Sequence, residues 1–253
     1  MRAQFVRVAD LAARWRTELL ELFFPLRCIG CRRPGPALCP ECLARIHLLQ
    51  EPRCPCCGRL LPHAGMACDC RGYPQHLDGI QAATLHQGVA RAAIHGLKYD
   101  HRTELAVPLG SLLQRYLEHY PLDFDRITAV PLHPARERER GYNQAELVAV
   151  ALAARIGSPY VKGLERIRET ADQVGLKVAE RHANVRDAFR ANALAFRGGH
   201  ILLIDDVCTT GATLDACAAA LRTEGARTVY GLTITRPQGT RPVPSEQEGS
   251  YHR

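Results

Sequence analysis

The sequence predicts an α/β fold, a parallel sheet with flanking helices, preceded by a small cysteine-rich, zinc-binding domain. Three observations carry that expectation. From residue 79 onward, short apolar runs alternate with helical patterns. One run, Ile201 to Ile204, is continuous, as in a parallel strand covered on both faces. Nine of the 11 cysteines lie between Cys28 and Cys70.

Residues 1–27 read as an N-terminal amphipathic helix. Phe5, Val8, Ala12, Trp15, Leu19 and Leu22 recur at steps of three or four before Pro25 ends the pattern. Such a face would dock on the body of the protein or on a second copy of the chain. It lacks the dense row of Lys and Arg that a membrane surface would favour. No apolar stretch approaches the roughly 18–20 residues of a membrane span. The first 27 residues lack the continuous apolar core and cleavage site of a secretory signal, so a cytoplasmic location is expected.

Residues 28–42, CIGCRRPGPALCPEC, hold two C-x2-C pairs, and two such turns complete a tetrahedron of thiolates. Cys28, Cys31, Cys39 and Cys42 are expected to share one structural zinc. In residues 54–70, Cys54 and Cys57 form a regular pair, and Cys68 and Cys70 a tighter C-x-C pair. A second structural zinc is expected on these four, with Cys56 left over. His63 as a substitute ligand, a single shared zinc, or pairs exchanged between the two loops stay open as alternatives. Every position is filled by sulfur, so neither site leaves room for a catalytic water. Zinc also bears on the formal net charge of +7, because each four-thiolate site carries −2 and two would bring the chain to about +3. The basic balance is therefore weak evidence for nucleic acid.

Tyr73-Pro74-Gln75 marks the boundary between residues 28–74 and a larger domain, 75–236. Within it, strands are expected at Gly79–Leu85, Arg126–Val130, Tyr160–Leu164, Ile201–Ile204 and Thr228–Thr235. Helices are expected at Val89–Lys98, Thr103–Tyr116, Leu147–Ile156 (closed by Gly157) and Leu214–Leu221. Residues 131–144 read as a loop, with Asn143 and Gln144 at the start of the following helix, and 165–190, polar and weakly periodic, as a mobile loop or hairpin. Residues 237–253 contain three prolines and read as a disordered tail.

The stretch His200–Leu214 carries the chemistry. Asp205 and Asp206 are expected where the strand leaves the sheet, followed by Thr209, Thr210, Gly211, Ala212 and Thr213 at a helix start. Ligands of open α/β sheets bind beyond the carboxyl ends of strands, and a glycine turn into a helix N-terminus suits phosphate. A Walker B strand would also end in acids, but such an enzyme needs a Gly-Lys dipeptide in its phosphate loop, and the chain has none.

ILLIDDVCTTGAT resembles the phosphoribosyl-pyrophosphate motif of type I phosphoribosyltransferases. With LKYDHR at 97–102, AVPLHPARERERGYNQAE at 129–146 and RIRETADQVGLKVAERHANVRDAF at 166–189, the chain resembles the ComF family of competence-associated proteins. That family couples a double zinc ribbon to a type I phosphoribosyltransferase-like domain. The resemblance implies that Asp205 and Asp206 hold ribose hydroxyls, directly or through Mg²⁺, while residues 209–213 wrap the 5′-phosphate. It implies pyrophosphate contacts from Arg136, Arg140, Asn143 and Gln144, and from Arg166 and Arg168 on a closing loop. Lys98, in LKY, is either a phosphate or nucleic-acid contact or a surface lysine. Cys208 departs from the motif, which has a bulkier aliphatic there. The implied ligand is phosphoribosyl pyrophosphate, transferred to an unidentified acceptor in a protein linked to DNA uptake. The alternative is a non-catalytic single-stranded-DNA-binding adaptor in the competence machinery, with the fold as ligand sensor. A homodimer is a further expectation.

Overall fold

A computed structural model of the protein describes residues 26–68, 70, 74–168 and 187–238. The expected N-terminal helix, most of the 165–190 segment and nearly all of the tail lie outside them. A short helix, α1 (Pro40–Ala44), sits within the cysteine-rich region. Then come β1 (Gly79–Leu85), α2 (Gly88–Tyr99), a 3-10 turn at Thr103–Leu105 and α3 (Ala106–His119). The chain continues through β2 (Arg126–Ala129), α4 (Pro134–Arg140), α5 (Gln144–Ile156) and β3 (Leu164–Arg166). It ends with β4 (Phe189–Ala191), α6 (Ala193–Phe196), β5 (His200–Val207), α7 (Ala212–Thr223) and β6 (Thr228–Arg236).

Four strands form a parallel sheet in the order β1-β6-β5-β2. The apolar run of β5 divides between its faces. Leu202 and Ile204 join one core cluster, with Ile94 and Leu97 of α2, Leu109 and Leu113 of α3 and Leu152 of α5. Ile201 and Leu203 join the other, with Leu214, Cys217 and Leu221 of α7 and with Leu164, Phe189 and Phe196. Burial on both faces is why the run shows no alternation.

Three expectations need correction. Residues 134–140 are a helix, not a loop. Pro134 opens it, the His133 ring accepts the Ala135 N–H at 3.3 Å, and Gly141 closes it at φ +83°. The expected strand at 160–164 falls instead at 164–166, while Tyr160 makes only an isolated bridge to Ile127. Third, β5 stays paired as far as Val207, so both acids lie inside the sheet instead of at its exit. Of the 165–190 segment, the two ends form an antiparallel pair, Leu164 with Ala191 and Arg166 with Phe189.

The cysteine-rich region is packed on the sheet as part of the same body. Cys28, Leu38, Cys42 and Ile46 belong to the core cluster of α2 and α3. Leu49 N–H donates to Ala83 O at 2.9 Å, Ile80 N–H to Cys56 O at 2.8 Å and the Thr84 hydroxyl to His47 O at 2.6 Å. The Arg53 guanidinium lies 4.0 Å from the Tyr120 ring centre and donates to the Tyr116 hydroxyl.

Candidate functional site

The carboxyl ends of β1, β2 and β5 open on a cleft of about 550 Å³. Asp205, Asp206, Thr209, Thr213, Gln144 and Arg166, all expected site residues, border it. Residues 205 and 207–214 enclose a smaller hollow of about 20 Å³. Gly211, at φ +85°, turns the chain from strand into α7, a conformation that favours glycine. The Thr210 hydroxyl accepts the Ala212 N–H at 3.3 Å and holds the turn in shape. The hollow is thus a compact cup of backbone and hydroxyl groups at a helix start, suited to a phosphate.

The acids are tightly integrated. Asp206 is buried and pairs with the Lys98 ammonium at 2.8 Å. Its other oxygen accepts from the Gln144 amide at 2.8 Å. Asp205 accepts the Asp206 N–H at 2.8 Å. Desolvation, followed by the like charge of Asp206, pushes the Asp205 carboxyl up to about 7, against the pull of Lys98. Burial works to lower the Lys98 pKa, but the two carboxylates outweigh it and hold the ammonium charged.

The other expected residues divide. Arg140 does not itself border the cleft but donates to Oε1 of Gln144, which does. Asn143 is taken up by the fold, its Nδ2 donating to Val130 O at 2.9 Å and its Oδ1 capping α5 through Ala145 N–H at 3.0 Å. Arg136 and Arg168 do not border the cleft. Cys208 is buried, and desolvation pushes its thiol up to about 11, as for an inert small hydrophobe.

One wall, formed by His86, Arg91, His95 and Tyr99, lies outside the expected site residues. His86 directly follows β1, so the strand-end rule applied there would have found it. Burial, then Lys98 and Arg91, lower its pKa, and its Nδ1 lies 2.8 Å from Thr235 Oγ1. Arg91, His95 and Tyr99 recur every four residues along α2, a helical stripe whose destination only the topology reveals.

The cysteine sulfurs gather into two groups, Cys28/Cys31/Cys39/Cys42 and Cys54/Cys57/Cys68/Cys70, each with all sulfurs within 4.8 Å of one another. Sulfurs of Cys31 and Cys39 are 3.9 Å apart, those of Cys54 and Cys70 3.6 Å, and those of Cys57 and Cys68 3.6 Å. Four thiolates at the Zn–S distance of about 2.3 Å have tetrahedral edges of about 3.8 Å, so both groups fit zinc. The pairs are not exchanged between loops, and Cys56 and the exposed His63 lie outside both groups. Among the described residues no helix is long and apolar enough to cross a membrane.

Comparison with known proteins agrees with both halves. Residues 19–71 match the double zinc ribbon domain, and residues 143–246 the phosphoribosyl transferase domain. The DNA utilization protein YhgH of Salmonella typhi is 33% identical over 227 residues, 85% of this chain and 99% of that protein. Competence protein F of Haemophilus influenzae is 29% identical, over 83% of this chain and 97% of its own length. Competence protein ComFC of Bacillus subtilis is 25% identical, over 83% of this chain and 88% of its own.

Proposed function

The chain belongs to the ComF family, a double zinc ribbon joined to a phosphoribosyltransferase domain, and on that premise we propose that its cleft binds phosphoribosyl pyrophosphate in the service of DNA uptake. One observation carries the reading: Asp205, Thr209 and Thr213 border both the small hollow at the helix start and the main cleft. A carboxylate at the junction of the two supports a ligand whose ribose lies between its 5′-phosphate and its pyrophosphate. The turn at 209–213 receives the 5′-phosphate, Asp205 faces the ribose, and Lys98, Gln144 with Arg140, and Arg166 supply donors at the pyrophosphate end.

Asp205 also suits a ligand-borne Mg²⁺, which would offset the charge of a departing pyrophosphate. In a transfer reaction an incoming nucleophile would bond to C1 of the ribose as the C1–O bond to pyrophosphate breaks. The chain's own part is to orient both ends and stabilise the leaving group. A sensor that binds without transfer would use the same contacts. Pyrophosphate release across a panel of acceptors separates the two.

Heating the protein with phosphoribosyl pyrophosphate plus Mg²⁺ tests the binding itself. Ligand at a hundredfold excess over Kd adds about 2.7 kcal/mol, a rise in Tm of roughly 5–10 °C for a chain of this size. The rise is expected to vanish in the double variant Asp205→Asn/Asp206→Asn, and no rise in the wild type would overturn the assignment.

Asp205 gives a second expectation, on the ligand-free protein. Its carboxyl stays protonated when folded up to about 7, whereas the unfolded chain releases that proton near the ordinary value of 3.8. The folded state therefore binds more protons over that interval, and this group's contribution to stability falls as pH rises through it. Asp205→Asn, neutral at every pH, should be more stable than wild type at pH 8. The gap should narrow as pH falls toward 6; a constant gap would contradict the shift.

A further inference from the structure

The two acids of β5 are not equivalent. Each Asp206 oxygen already has a donor, the Lys98 ammonium on Oδ1 and the Gln144 amide on Oδ2, both at 2.8 Å. The Asp206 side chain is 6% exposed and that of Lys98 22%. Gln144 is itself held by the Arg140 guanidinium. Asp205, by contrast, is half-buried and borders both the cleft and the inner hollow. Exchanging the ammonium on Asp206 for a neutral ribose hydroxyl would leave a buried charge unpaired, and that costs more than the hydroxyl returns.

An ammonium has three N–H donors, and Asp206 engages one of them. The others are available to an acceptor in the cleft. Lys98 borders the main cleft and not the hollow, so the phosphate group it would meet is the one that the 209–213 turn does not hold. Arg140 is tied to the same carboxylate through Gln144 and lies 5.8 Å from the centre of the Tyr99 ring, beside Lys98 in sequence.

We infer that Asp206 is a positioning residue, which holds Lys98 and, through Gln144, Arg140 toward the pyrophosphate end of the ligand, while Asp205 alone receives the ribose hydroxyls. The inference rests on the phosphoribosyl pyrophosphate reading and divides its binding energy between two residues that sequence treats as one motif. Lys98 becomes a pyrophosphate-binding residue, oriented before the ligand arrives, so little side-chain freedom is lost on binding.

Calorimetric titration of the full chain, with Mg²⁺ at fixed ionic strength, tests this with three probes: phosphoribosyl pyrophosphate, inorganic pyrophosphate and ribose 5-phosphate. Lys98→Met and Asp206→Asn should each weaken inorganic pyrophosphate by about tenfold or more, the scale of a lost charge-assisted hydrogen bond, and ribose 5-phosphate by clearly less. Asp205→Asn should show the reverse preference. Because Asp206 acts in part through Lys98, adding Asp206→Asn to Lys98→Met should cost inorganic pyrophosphate less than Asp206→Asn costs the wild type, a coupling that general loosening of the fold would not produce. Lys98→Arg should recover part of the pyrophosphate affinity that Lys98→Met loses. Should Asp206→Asn fail to fold, the two Lys98 variants decide. If Lys98→Met weakens all three probes equally, or if Asp206→Asn costs ribose 5-phosphate as much as Asp205→Asn does, the division of roles is overturned. If wild type binds none of the probes, the reading of the cleft falls and this assignment with it.

Discussion

Stripping zinc with a chelator, or replacing Cys42 by serine, should lower the Tm of the whole chain and not of the cysteine-rich region alone. Cys42 and Cys28 are buried in the same cluster as Ala83, Ile94 and Leu97, so the first metal site is a part of the main core. Gly30 lies so close that a Cβ there would stand 2.8 Å from the Cys42 sulfur. Without metal, four thiols lose the ion that holds them together, and the polypeptide around them has little core of its own. The Arg115 contact to Ile46 O at 2.6 Å and the Thr84 contact to His47 O then lose their partners' fixed positions. Loss of a structural metal belongs to the mechanisms that exceed about 4 kcal/mol. For a chain of this length that is a Tm decrease of roughly 10 °C. Scanning calorimetry with metal analysis checks it. A metal-free protein that keeps its main transition unmoved would show the two regions to be energetically separate, and one zinc per chain instead of two would remove the second site.

Gly58→Ala should be the next most damaging single change. Gly58 sits behind Cys57 at φ +66°, and a Cβ there would fall 2.2 Å from Ile80 O and 3.1 Å from the Arg236 guanidinium. Ile80 O belongs to a sheet backbone that cannot swing aside as a side chain does. The same junction carries the Ile80 N–H bond to Cys56 O and the Arg236 bond to Cys57 O at 2.8 Å. The left-handed backbone costs a non-glycine residue about 1–2 kcal/mol, and overpacking adds roughly 1–3 kcal/mol. Gly65→Ala is the control, since φ there is +80° with nothing within 4 Å of the added Cβ. Denaturant unfolding should separate the two by at least 1 kcal/mol, which isolates the clash from the backbone term. Equal losses would mean that the second zinc loop is not seated on β1.

Local chemistry was legible in the sequence wherever neighbours in the chain are neighbours in space. The span of β1, the closure of α5 at Gly157 and both cysteine sets follow from short-range pattern. The acids and the phosphate turn were legible for the same reason: strand, turn and helix are consecutive. Helix α4 was hidden because none of its residues is buried, so its Arg-Glu-Arg-Glu-Arg run has no apolar period to read. Its caps, His133, Pro134 and Gly141, were the available signal. The α2 wall could not be read locally, because Lys98 meets Asp206 only after the β1–β6–β5 order brings the two together. Asn143 illustrates the reverse error: a polar residue beside the expected pyrophosphate loop is used to fasten α5 to the strand that precedes it.

The strand order has a consequence for synthesis on the ribosome. Among the described residues β1 is the first strand made and β6 the last, yet they are partners, Gly79 with Tyr230 and Leu85 with Arg236, and β5 also needs β6 beside it. A nascent chain can therefore close its cysteine loops around metal early, while β1 keeps one open, aggregation-prone edge until residue 236 emerges. Truncation before Thr228 removes the strand between β1 and β5 and would leave a finished metal-binding region attached to a sheet that cannot assemble.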